Sequence, residues 1–248
     1  IDRATLEPRF KVIGSDKWSD EPGFAEETRD IGVTGICGSG IIEALAEMYL
    51  AGILTQDGVI DGGMAAVSPR IQPEGRTFSY LLRDGEPVLR ITQNDVRAIQ
   101  LAKAALRAGI DLIVEHAGGP ELTDIRLAGA FGAHIDPVRA LVLGLVPDCA
   151  VDGVRSVGNS AGIGAVQALL SRTLRAEMEH AVRKVTKIET ATEPRFQELF
   201  VAAMAFPHAS APSPHLATVV DLPARPDPAD STRPVRRRRS RHSSEVSE

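Results

Sequence analysis

The stretch Asp124-Ile-Arg-Leu-Ala-Gly-Ala-Phe-Gly-Ala-His-Ile-Asp-Pro137 restricts the fold more than any other. Ile125, Leu127 and Ala128 read as a short buried strand. It runs into Gly129-Ala-Phe-Gly132 and then into a helix near Pro137. Glycine at such a junction lets the backbone approach a ligand closely. The helix start offers unpaired N–H groups and the positive end of a dipole, for which a phosphate or nucleotide is the natural guest. Gly35-Ile-Cys-Gly-Ser-Gly40 and Val157-Gly-Asn-Ser-Ala-Gly-Ile-Gly164 repeat the arrangement. Three such turns suggest one shared pocket.

With 248 residues, 43% hydrophobic and 25% charged, the chain has a soluble profile and room for one or two domains. A net charge of −5 argues against a general nucleic-acid binder. The two cysteines, Cys37 and Cys149, are far apart. That excludes a disulfide scaffold and a self-contained four-cysteine metal or iron–sulfur site, and it suits a reducing, cytoplasmic setting. No apolar run reaches membrane-spanning length and no signal-peptide pattern opens the chain. The first residue is Ile1, so the chain is expected to be a piece of a longer polypeptide.

Phe10 to Ile13 reads as a strand, and Ser15 to Asp30 as surface loop. Gly38-Ser-Gly40 leads into a helix with apolar residues at 41, 42, 45, 48 and 49 on one face, Glu43 and Glu47 on the other, and Gly52 at its end. The amides of Gly38, Ser39 and Gly40 either hold a phosphate or simply turn the chain. Cys37 reads as a small buried side chain. Residues 53–90 form a β-rich insertion, with Phe78 to Leu82 and Val88 to Ile91 as a hairpin. Thr92 and Asp95 make a variant capping box for a helix running through Ile113. Gln100, Lys103 and Arg107 share one face of it, which is either solvated or functional.

After Pro137 a short helix is closed by Gly144, with His134 and Asp136 in the turn. Val154 to Val157 is the next strand. Asn159 and Ser160 follow in a turn, and Ala161 to Leu170 is a helix of small residues that can approach a sheet or ligand. Residues 172–184 read as an amphipathic helix with Leu174, Met178, Ala181 and Val182 inward, 185–189 as a strand, and 193–206 as a last helix. From 208 the chain is Pro/Ser-rich and then Arg-rich (Arg233 to Arg241). It reads as a disordered, solvated tail rather than an RNA or lipid patch.

The order of these motifs resembles a known family. Gly35-Ile-Cys-Gly-Ser-Gly-Ile-Ile-Glu43, Gln100-Leu-Ala-Lys-Ala-Ala105, Leu127-Ala-Gly-Ala-Phe-Gly132, Gly144-Leu-Val-Pro-Asp148, Val157-Gly-Asn159 and Ala191-Thr-Glu-Pro-Arg-Phe-Gln197 are similar to the carboxy-terminal ATPase domain of the reductive activators of corrinoid proteins. The resemblance covers residues 10–207 or so. It implies an α/β fold: a partial ribonuclease-H-like, actin-like ATPase domain of the acetate- and sugar-kinase, heat-shock ATPase and actin superfamily, with a mixed sheet flanked by helices over 1–207 and a tail over 208–248. ATP with Mg²⁺ and a [2Fe–2S] cluster in an upstream domain are the implied cofactors. A corrinoid protein of a methyltransferase system is the implied partner, served by one-electron reduction of Co(II) to Co(I), and a homodimer is the implied assembly.

By the same resemblance Gly129, Ala130, Phe131 and Gly132 correspond to an adenosine motif. Gly38, Ser39 and Gly40 correspond to a turn lining phosphates, and Gln100 and Lys103 to a polar pair touching ribose and base. The segment with Asn159 corresponds to a second connecting helix. The sequence departs from the fold's usual pattern in having no Asp-Ile-Gly-Thr-like phosphate loop: Asp30-Ile-Gly-Val-Thr34 is similar only superficially. It also lacks the cluster cysteines. The chain alone is therefore expected not to hydrolyse ATP. Rival readings are an activator of 2-hydroxyacyl-CoA dehydratases, a small-molecule kinase of the same fold, and a non-catalytic interaction module.

Overall fold

The computed structural model describes residues 1–224; residues 225–248 and the side chains of Ala130 and Phe131 lie outside the described part. The Arg-rich segment 233–241 therefore falls outside it. The chain is mixed α/β, with sheets flanked by helices.

The elements follow one another as α1 (Phe24–Glu27), α2 (Gly38–Leu50), β1 (Ile71–Glu74), β2 (Thr77–Arg83), β3 (Leu89–Thr92), α3 (Gln93–His116), β4 (Ile125–Ala128), α4 (Gly129–Gly132), α5 (Pro137–Leu143), β5 (Val154–Gly158), α6 (Ser160–Leu170), α7 (Arg172–Val182) and α8 (Phe196–Ala202). The strands form two sheets. β1, β2 and β3 are antiparallel in that order, and β4 and β5 are a parallel pair. The expected hairpin is present, with Tyr80 opposite Ile91. β1 is an additional strand, set by Ile71 opposite Tyr80.

The core gathers around α2 and α5. Leu45, Ala46 and Met48 of α2 and Val142 and Leu143 of α5 are fully buried, alongside Tyr80, Ile91 and Phe206. The two helices pack on each other. A charged cluster flanks the contact: Arg139 of α5 donates to Glu47 of α2 at 2.8 Å, and Arg3 and the amino terminus reach the same carboxylate. Burial alone would raise the Glu47 carboxyl; the three cations bring it below its usual range. α3 starts with the full capping box, Asp95 N–H donating to Thr92 Oγ1 and Thr92 N–H to Asp95.

Several expectations are corrected. Phe10 to Ile13 is not a strand; it contributes one isolated bridge, Lys11 to Trp18. Residues 185–189 are irregular, with Val185 74% exposed, and the last helix is confined to Phe196–Ala202. Neither α6 nor α7 has a buried residue: Leu169 and Leu170 are 77% and 83% exposed, and Ala181 and Val182 face solvent. The apolar face that periodicity assigns to a core meets none among the described residues. Packed chain also continues past Pro207, where the sequence reading placed a tail. His208 and Leu216 are buried, and the Asp148 carboxylate accepts from the N–H groups of His215 and Leu216. Buried Leu216 and His208 and hydrogen bonds to Asp148 and Gln56 anchor this segment, which composition does not reveal.

Candidate nucleotide site

Because β4 and β5 are parallel, both end at the same edge of their ribbon. Ala128 pairs with Gly158 after a register shift at Leu127. Ligands of α/β proteins collect outside such carboxyl ends. Each strand leaves through a glycine in the left-handed region, Gly129 at φ +89° and Gly158 at φ +63°, and neither has any neighbouring atom where a side chain would stand. α4 packs against β5, so the two turns lie side by side. Gly132 folds back onto its own strand: a Cβ there would stand 3.0 Å from the Leu127 carbonyl carbon. Asn159 is the N-cap of α6 and its side-chain oxygen accepts from Gly162 N–H at 2.9 Å. This takes one orphan donor and leaves the first amides of α6 for a guest.

The third turn opens α2. Cys37 is exposed, not buried, and acts as the N-cap, its sulfur accepting from Gly40 N–H at 3.3 Å. Thiols are rare caps, so the residue type gave no signal. Cys37, Ser39 and Gly40 line a cleft of about 630 Å³ whose other walls include Phe10, Lys11 and Trp18 and the irregular segment 31–37. Arg9 and Lys11 stack on the Trp18 ring, 4.6 and 5.1 Å from its centre. The segment Asp30-Ile-Gly-Val-Thr34 lies in that irregular stretch, outside any strand.

The expectation of a single cavity shared by three turns is corrected. Among the described residues, Cys37, Ser39 and Gly40 line the cleft, whereas Gly129, Gly132 and residues 158–160 do not. α5 follows the 129–136 turn and packs directly on α2. Glu43, one turn beyond Gly40, lines the cleft and also feels Asp136. Its carboxyl is held above the usual range, first by burial and then by the Asp136 carboxylate. Asp136 is the N-cap of α5, accepting from Arg139 N–H at 2.9 Å. The sequence places Glu43 on the helix face opposite the apolar one, and only its juxtaposition with Asp136 marks it.

Gln100 and Lys103 are placed elsewhere. They are 1% and 0% exposed, and Arg107 on the same stripe is 7% exposed. Gln100 donates to the carbonyls of Asp57 and Met204, each at 3.0 Å. Lys103 Nζ donates to the carbonyls of Ala205 and Pro207, the latter at 3.0 Å, and lies 5.0 Å from the centre of the Phe206 ring. Burial pushes the Lys103 ammonium down to about 7, with Arg107 adding to the push. The donors that the resemblance assigns to ribose and base are here spent on the chain's own backbone.

The described residues hold no group of three or more metal-ligating side chains. Cys37 and Cys149 are the only cysteines, too few for a four-cysteine cluster. No helix among the described residues is long and apolar enough to cross a membrane.

A family model described as the C-terminal domain of RACo, the ASKHA domain, matches residues 1–217. The corrinoid activation enzyme RamQ of Eubacterium limosum is 37% identical over 179 residues, 67% of this chain and 30% of that protein. A solved structure titled reductive activator for corrinoid, iron–sulfur protein superposes with a TM-score of 0.63 at 34% identity, covering 71% of this chain and 29% of that one. The chain thus spans about a third of the length of the relatives it matches. It belongs to the corrinoid reductive-activator family, and within that family to its C-terminal ASKHA domain.

Proposed function

We propose that this chain is the C-terminal part of an ATP-dependent activator that returns an inactive Co(II) corrinoid to Co(I), so that a partner methyltransferase system can accept a methyl group again. The observation that carries the nucleotide part is the pair of glycine turns side by side at the carboxyl ends of β4 and β5. Their amides and the start of α6 present positive dipole ends to phosphate oxygens. The open space at Gly129 and Gly158 admits a ligand against bare backbone. Mg²⁺ needs only one or two protein carboxylates beside the phosphates, and Asp136, which caps α5 just beyond the 129–132 turn, together with Glu43, whose carboxyl it pushes up, would supply them.

In this reading the chain's residues bind and orient. The electron comes from an iron–sulfur group carried outside the chain, which lacks the cysteines for one. One electron enters the cobalt centre and no bond to this chain forms or breaks. A corrinoid protein as partner, a homodimer and a cytoplasmic setting belong to the same proposal.

The test uses the complete protein and its Gly129→Val variant. A β-branched residue at φ +89° is strained by about 1–2 kcal/mol and fills space reserved for the guest. Loss of ATP affinity by at least about tenfold, with loss of Co(I) formation in a corrinoid protein, is expected. Unchanged ATP affinity refutes the assignment of this turn.

A further inference from the structure

We propose that Gln100, Lys103 and Arg107 are positioning residues: through backbone carbonyls they fix α5, and thereby set the 129–136 turn against α2. The consequence for the nucleotide site rests on the reading above; the mechanical claim does not.

Two of the stripe's bonds bear directly on the end of α5, and others hold the segment packed beside it. Lys103 grips the Pro207 carbonyl, and that oxygen presses on Gly144, the C-cap of α5; a Cβ at Gly144 would stand 1.8 Å from it. Arg107 Nη1 donates to the carbonyl of Val146, two residues further on, while its Nε holds Asp111 at 2.9 Å. Gln100 ties the loop at Asp57 to Met204, and Phe206 N–H donates to the Gln56 carbonyl. The segment 203–208 is thus a strap clamped between α3 and the end of α5. Ala140, Leu141, Val142 and Leu143 are all 0–2% exposed, so α5 transmits displacement rather than absorbing it. Its other end is the Asp136 cap, which directly follows the 129–135 segment, and its side rests on α2 through Arg139 and Glu47. Moving the strap moves α5, and moving α5 shifts the 129–136 turn relative to α2.

The experiment is native-state hydrogen exchange on the 248-residue chain, comparing wild type with Lys103→Met and Gln100→Met. The second variant is the gentler one: it removes two donors and also the Gln100 Oε1 acceptor, which is buried without a partner. If circular dichroism shows Lys103→Met unfolded, Gln100→Met decides. Peptides covering 203–208, 137–146 and 129–136 are expected to lose protection together, by about tenfold, while β1 to β3 stay protected. Loss confined to 203–208 overturns the proposal.

A second arm separates positioning from contact, using ATP and inorganic triphosphate as probes. Positioning weakens both by the same factor. A selective loss of ATP binding, with triphosphate unchanged, means that Gln100 or Lys103 touches ribose or base, and overturns the proposal. If wild type binds neither probe, the nucleotide reading fails, and the exchange arm still decides the mechanical claim.

Discussion

Substituting alanine at Gly144 tests how firmly the strap is seated. Gly144 has φ +69° and ψ +33°, so any residue with a Cβ meets the left-handed penalty, about 1–2 kcal/mol. The Cβ would also stand 1.8 Å from the Pro207 oxygen and 2.7 Å from its carbonyl carbon. Both are backbone atoms, and no rotamer change relieves the overlap. The strap must retreat, which breaks the bond from Lys103 to Pro207; a hydrogen bond to a charged group contributes about 1.5–3 kcal/mol. The two costs together are about 2.5–5 kcal/mol, a large share of the 5–15 kcal/mol typical of a domain. Gly52 is the internal control, since it has φ +72° with nothing within 4 Å. Gly52→Ala meets only the conformational penalty. Urea unfolding followed by circular dichroism compares the two through midpoint and slope. The Gly144→Ala midpoint should fall well below that of Gly52→Ala, and Gly144→Ala with Lys103→Met should be less than additive because both remove the same contact. Equal losses at the two glycines would refute the reasoning.

Further predictions concern other sites. Lys103 titrates near 7 in the fold against an ordinary 10.5, so between those values the unfolded chain binds more protons. Unfolding free energy from urea titrations should therefore rise with pH across that window, and Lys103→Met should flatten the slope. Exposed Cys37 should react with a thiol reagent in the native protein. Cys149, 1% exposed and with its thiol pushed up by burial, should react only after denaturant is added. Thr92→Ala removes one half of the capping box and should cost about 1 kcal/mol in the same urea assay.

Local chemistry was legible in the sequence. Thr92 with Asp95 predicts the start of α3, Pro137 and Gly144 bracket α5, and the glycine turns after β4 and β5 are where their spacing puts them. These features depend on a few neighbouring residues, as do the signals that mark them. What pairs with a face was not legible. Gln100, Lys103 and Arg107 carry the same pattern whether they meet water or buried carbonyls, and their partners lie as far as 104 residues away. The apolar residues of α6 look like core in a sequence, yet Ile163, Val166 and Leu170 are more than half exposed. The separation of the Gly38–Gly40 turn from the other two was equally hidden, because it depends on long-range packing such as that of α5 on α2.

The distance along the chain between Lys103 and its acceptors has a consequence for biosynthesis. The Ala205 and Pro207 carbonyls follow that lysine by 102 and 104 residues. At roughly 5–20 residues per second on the ribosome, α3 waits about 5–20 s with its cationic stripe still hydrated. During that interval the groove that later receives Phe206 stands empty. A nascent chain stopped before Pro207 therefore displays a cationic, half-finished groove to chaperones and proteases, and only the arrival of residues 203–208 closes it.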